Sequence, residues 1–283
     1  MKAPAPKTPT KTKTAKSTKT PKSAEKPTKS KEITPEQKPT ILRRLNAVIG
    51  YSVLIAASFL VSSFVVVVIA RLIFGDELEI VMNTPLFGAA LTAAIFSLML
   101  ALVILIPRQF LRIKTTLAEL GLIGLPTWTD IVLAPVGYIV SSILGALLLF
   151  AAASMFNINL DQEQSLPFAA DTLVSQMDYI LAFIALVIIA PVVEEIIFRG
   201  FFYSKLRPHV NMWIAAIVVS IVFGALHGQW NVAIIVGSMS FIMCLIREKL
   251  TGTIWAPILI HMVRNGIAFY LLFVNPQLLH MIG

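Results

Sequence analysis

LAFIALVIIAPVVEEIIFRG, residues 181–200, is the stretch whose reading decides the fold of this chain. An unbroken apolar run leads straight into Glu194, Glu195 and Arg199. A soluble surface helix with one salt bridge would not be preceded by such a run, so the stretch reads as part of a transmembrane helix. A charge near a bilayer centre costs at least about 2.5 kcal/mol, and adjacent carboxylates persist there only where something uses them. The stretch therefore reads as a reactive centre. On an α-helix Glu195 and Arg199 stand at i and i+4, on one face and near enough to pair. Glu194 lies about 100° round the helix and is free to point elsewhere. One carboxylate is neutralised by its own helix, and the other is left for chemistry.

The composition around this stretch agrees with it. Of 283 residues, 57% are hydrophobic and 13% charged, and the mean hydropathy of +0.82 lies far from that of an ordinary soluble domain. The fold class expected is all-α, a polytopic transmembrane helical bundle of about seven spans. The formal charge of +8 belongs to the first forty residues, which hold eleven lysines against three glutamates. Residues 1–40 have almost nothing to bury and are expected to form a disordered Lys-rich tail. Such a tail can tether to anionic lipid; nucleic acid is not the expected partner, because no aromatic residue is there to stack on bases. The lone cysteine, Cys244, lies in an apolar run and reads as a small core residue, so no intrachain disulfide is expected. The first apolar run is too long for the h-region of a signal peptide and is expected to be an uncleaved anchor.

Seven apolar segments are long enough, or nearly so, to cross the hydrocarbon: roughly 46–70, 86–106, 131–153, 179–203, 212–228, 231–247 and 254–274. Trp128, Trp213, Trp230 and Trp255 all fall at segment ends, as an interfacial aromatic belt requires. Arg43, Arg44, Arg108, Arg112, Lys114, Lys205, Arg207, Arg247 and Lys249 fall on one side if the segments alternate. That side is expected to be the cytoplasm, which places the N-terminus inside and the C-terminus outside a plasma membrane. The opposite connections carry Asp76, Glu77 and Glu79, then Asp161, Glu163 and Asp171, with Arg71 among them. Segments 1–3, within residues 41–153, hold few ionisable groups, whereas the segments within 175–275 hold nearly all the buried ones. Function is expected in the second half.

In that half polar groups recur at i, i+4 on apolar helices. Segment 4 has Glu195 and Arg199 beside Glu194, segment 5 has Phe223 and His227 in FGALH, and segment 7 has His261 and Asn265 in HMVRN. A lone histidine at a helix end is more often structural, but three helices with polar clusters make a set. Hydrolysis of a peptide bond within a membrane needs a trapped water, a base and donors for the oxyanion. Glu194 can take the proton from water, His227 can hold that water, and His261 and Asn265 can donate to the oxyanion. Glu195 with Arg199 would fix the helix. Pro191 would free a carbonyl and kink segment 4, making room for water. Pro257 reads either the same way or as a first-turn proline.

The ordered set EEIIFR (Glu194 to Arg199), FGALH (Phe223 to His227) and HMVRN (His261 to Asn265) resembles the three motifs of the CPBP intramembrane proteases. This is the family of CAAX prenyl endopeptidases and of bacteriocin-processing or self-immunity (Abi) proteins. The resemblance covers roughly residues 175–275. It implies a multi-pass membrane endopeptidase, a hydrolase in which Glu194 and His227 activate water while His261 and Asn265 stabilise the oxyanion. Members are described both as metalloproteases and as metal-independent glutamate proteases. No cofactor is expected as a requirement; the alternative is zinc on Glu194, His227 and His261, although there is no H-E-x-x-H. The substrate implied is a membrane-associated protein or peptide. Two rival readings are a proton- or cation-coupled transporter and a non-catalytic membrane adaptor. The first predicts a continuous polar path, for which segments 1–3 and 6 offer almost no ionisable residues; the second keeps the motifs as hydrogen-bonding glue between helices.

Overall fold

The computed structural model describes residues 39–156 and 173–278. Most of the basic tail, the acidic residues Asp161, Glu163 and Asp171, and the C-terminal Gly283 lie outside the described residues. Among the described residues the chain is built of helices with no strand, in agreement with the all-α expectation. The helices are α1 (Ile41–Met82), α2 (Pro85–Phe110), α3 (Trp128–Phe156), α4 (Gln176–Leu206), α5 (Met212–Ala225), α6 (Trp230–Thr251) and α7 (Trp255–Val274). Six are long and apolar enough to cross a membrane, so the protein is an integral, multi-pass membrane protein.

The seventh departs from the expected crossing at 212–228. Helix α5 has fourteen residues and reaches about 21 Å, short of about 30 Å of hydrocarbon. Its start is fixed by Asn211, whose Oδ1 accepts from the Ile214 N–H at 2.9 Å. Its end is fixed by two glycines. At Gly224 a Cβ would lie 2.6 Å from the Ala233 carbonyl oxygen, so only glycine lets α5 and α6 pass this closely. At Gly228 φ is +74°, the left-handed conformation that turns the chain straight into α6.

Helix α4 is the axis of the second half. Its start is a capping box in which Ser175 and Asp178 satisfy each other's backbone N–H groups. Beyond Glu195 it is buried on every side, with Ile197, Phe201, Phe202, Tyr203 and Leu206 each at most 1% exposed. Ala215, Ala216, Val219 and Phe223 of α5, Met239, Met243 and Cys244 of α6 and Ile260 of α7 pack in the same core. Cys244 is thus the small core residue expected. Helix α3 packs mainly on α6 and α7, and α1 on α2. A helix apolar all round its circumference is what burial at the centre of a membrane bundle requires.

Helix α4 runs through Pro191 without ending. The proline falls in the first turn of a short α segment, Ala190–Glu195, flanked by π-helical turns at Ile184–Ile189 and Ile196–Tyr203. Pro257 lies in the first turn of α7, the duller of its two readings, where its missing N–H breaks no intrahelical bond.

Candidate active site

The α segment between the two π turns carries Glu194 and Glu195 side by side. Glu195 and Arg199 form the i, i+4 pair expected, Nη1 to Oε1 at 2.8 Å, with both side chains fully buried. The same Oε1 also accepts from His261 Nδ1 at 2.9 Å, so Glu195 joins α4 to α7 as well as to its own helix. The Arg199 guanidinium lies over the Phe223 ring, 4.6 Å from its centroid. Glu194 points away from this pair, as the 100° offset requires. Its Oε2 lies 3.8 Å from His261 Nε2, beyond hydrogen-bond reach, and this buried oxygen has no hydrogen-bond partner among the described residues.

His227 sits in the turn after α5. Its Nδ1 lies 2.9 Å from the Phe223 carbonyl oxygen, one of the carbonyls a helix leaves open at its C-terminus. A carbonyl only accepts, so Nδ1 carries the proton in that bond and Nε2 is left as an acceptor. The short α5 also eases the difference in depth that a full crossing would create between His227 and Glu194.

On α7, His261 is 3% exposed and spans the two glutamates with its two ring nitrogens. Asn265, one turn further along, donates from Nδ2 to the Leu186 carbonyl at 2.8 Å. That carbonyl is open for a stated reason. In the preceding π turn the Ala190 N–H bonds to the Ala185 oxygen; the next bond in that i→i−5 series would come from residue 191, and proline has no N–H to give. The carbonyl freed by Pro191 is therefore taken by Asn265, and the second N–H of the amide remains for another acceptor.

Glu194, His227, His261 and Asn265, from α4, the α5 turn and α7, line one cavity of about 430 Å³. Its walls include Phe59 and Ser63 of α1 and Thr92 and Phe96 of α2. Glu195 and Arg199 stand behind this surface. Zinc on Glu194, His227 and His261 is the alternative that the sequence leaves beside a metal-free site; among the described residues no group of three His, Cys, Asp or Glu side chains is gathered as a metal centre, and no step below runs through a metal.

Three contributors were not visible as such in the sequence. Phe223 was noted only as the start of FGALH; its ring meets Phe198, His227 and His261 edge-on, with centroids 4.8, 5.0 and 5.9 Å away, besides carrying Arg199. Arg247 had been read only as a charge at the membrane surface. It is buried, donates to the Arg199 carbonyl oxygen, and also bonds the Glu119 carbonyl oxygen at 2.9 Å and Ser204 Oγ at 2.8 Å. Arg264, a spacer within HMVRN, lines the cavity and donates from Nη1 to Asn265 Oδ1 at 3.0 Å.

Comparison with known proteins points to the same helices. The chain is 31% identical over 78 residues to the Bacillus subtilis (strain 168) protein named "Putative membrane peptidase YdiL", a match covering 28% of this chain and 32% of that protein. It is 28% identical over 165 residues to an Escherichia coli protein named "Uncharacterized 24.3 kDa protein", covering 56% of this chain and 70% of that one. The first match thus spans about a third of its relative's length. No solved structure gives a significant match. The helices that bring Glu194, His227 and His261 together match the type II CAAX prenyl endopeptidase Rce1-like family over residues 176–267.

Proposed function

We propose that the protein is an intramembrane endopeptidase that hydrolyses a peptide bond of a membrane-associated protein or peptide without a metal. One observation carries this reading: Glu194 presents a buried carboxylate oxygen without a hydrogen-bond partner, among the described residues, to a cavity it shares with His227, His261 and Asn265. A water held between Glu194 and the free Nε2 of His227 gives its proton to Glu194 as its oxygen attacks the carbonyl carbon. The oxyanion accepts from Asn265 Nδ2 and His261 Nε2. Nδ1 of His261 already donates to Glu195, so the donor form of Nε2 belongs to the cationic ring. As the tetrahedral intermediate collapses, the C–N bond breaks and Glu194 returns the proton to the leaving nitrogen, giving a carboxylic acid and an amine.

Comparing the membrane proteomes of cells carrying wild type or Glu194→Gln tests this directly. Fragments present with the wild type and missing with the variant are expected, because the amide keeps the shape but cannot take the proton. Identical proteomes would overturn the reading. The N-terminus is proposed to lie on the cytoplasmic side of a plasma membrane, where a basic tail can contact anionic lipid. Although α5 is short, Glu248 pairs with Arg207 and so holds the end of α6 beside the end of α4; a reporter fused after Lys249 should then read cytoplasmic and one after Gly283 external, and the reverse at both sites would invert the orientation.

A further inference from the structure

The main cavity contains a cation that the reaction described above does not use. Arg264 lines the main cavity and also a second one of about 190 Å³, which it shares with Tyr138, Ser141 and Met239, so its side chain stands between the two. Among the described residues no carboxylate lies within ion-pair distance of it. Glu194 acts on it electrostatically across the same cavity without pairing with it; an ionisable group in the membrane interior that is not held in an ion pair is costly, and its retention calls for a role. Its described bond is to Asn265: Nη1 donates to Oδ1 at 3.0 Å.

This bond fixes something that the amide alone leaves open. An asparagine side chain can turn over about its last torsion, exchanging oxygen for nitrogen. In one orientation Oδ1 accepts from Arg264 and Nδ2 donates to the Leu186 carbonyl. In the other, Nδ2 would face the guanidinium, donor against donor, and Oδ1 would face the carbonyl, acceptor against acceptor. Only the first satisfies both neighbours, and it leaves the second N–H of Nδ2 for an oxyanion. We infer that Arg264 is a positioning residue for this reaction: together with the Leu186 carbonyl freed by Pro191, it locks the Asn265 amide in the orientation that donates to the oxyanion. The inference rests on the protease reading above.

The test uses the full chain reconstituted in vesicles and a synthetic peptide copying the cleavage site found by the proteome comparison. For Arg264→Leu, kcat should fall about 10-fold to 100-fold with KM within about twofold, since an interaction felt only in the transition state is weakened. Arg264→Lys, which keeps a donor and the charge, should recover most of the loss. Adding Asn265→Ala to Arg264→Leu should cost little beyond Asn265→Ala alone, because both remove one interaction. A purely structural role would instead lower the melting temperature and give additive losses. Additive losses, unchanged kcat, or a rise in KM alone would each overturn the inference while leaving a cleaving wild type intact. A wild type that cleaves nothing would remove the protease reading, and the inference would fall with it.

Discussion

Glu194 and Glu195 are adjacent in sequence and different in environment, and the difference follows from helix geometry. Glu195 Oε1 accepts from Arg199 and from His261, at 2.8 and 2.9 Å. Its neighbour faces the cavity. Glu195→Gln should therefore do two things at once. It leaves the fully buried Arg199 without its counter-charge, a change that typically costs about 3–5 kcal/mol for a buried pair. It also weakens the bond that orients His261, so turnover should fall together with the melting temperature of the purified protein. Glu194→Gln should abolish turnover with little change in melting temperature. Equal losses of activity and stability in both variants would show that the roles are divided wrongly. The division was legible in EEIIFR because i, i+4 spacing fixes a face. The contact between Glu195 and His261 was not, because nothing in a local spacing says which helix packs opposite.

At the scale of the element, helix type carries the information that the sequence pattern missed. The apolar runs gave the helices and the tryptophans gave their starts: Trp128, Trp230 and Trp255 each open one. Hydropathy cannot distinguish an α turn from a π turn, since both are built from the same apolar residues. The π turns nevertheless matter, for one of them decides that Leu186 is the carbonyl released by Pro191 and taken by Asn265. Hydropathy also overstated α5. FGALHG looks like the end of an apolar span, yet Gly224 and Gly228 mark a close crossing and a reversal. Gly224→Ala places a Cβ 2.6 Å from the Ala233 carbonyl oxygen, where backbone must shift. A cost of about 1–3 kcal/mol is expected for such overpacking. Because the displaced segment leads directly to His227, activity should drop further than the same loss of stability would explain. Measuring melting temperature and turnover on the same preparation would check this, and unchanged turnover would mean that the α5 crossing does not set the position of His227.

Considered as a whole, the molecule divides the work differently from the sequence. The family match covers residues 176–267, and the motifs lie within it. The distribution of ionisable groups in the sequence places function in the second half, and the groups proposed to react lie there. The cavity, however, is closed by the first half as well: Phe59 and Ser63 come from α1, and Thr92, Ile95, Phe96 and Met99 from α2. These residues are apolar or weakly polar and supply shape rather than chemistry, which is why an inventory of ionisable groups passed over them. The proposed function then implies a separation of roles, with α4, the turn after α5 and α7 holding the groups proposed to react while α1 and α2 shape the space beside them. A side chain that fills this space should then exclude substrate without disturbing the glutamates. Ser63 is partly exposed in the cavity wall, so Ser63→Phe can project into the space rather than into packed core. The expected result is a rise in KM or loss of binding, with stability unchanged within about 0.5 kcal/mol, as for other substitutions away from packed core. A smaller replacement, Ser63→Ala, should behave as wild type. Should Ser63→Phe instead leave KM untouched and lower kcat, α1 would act on the reacting groups themselves, and the proposed separation between shaping and reacting helices would be wrong.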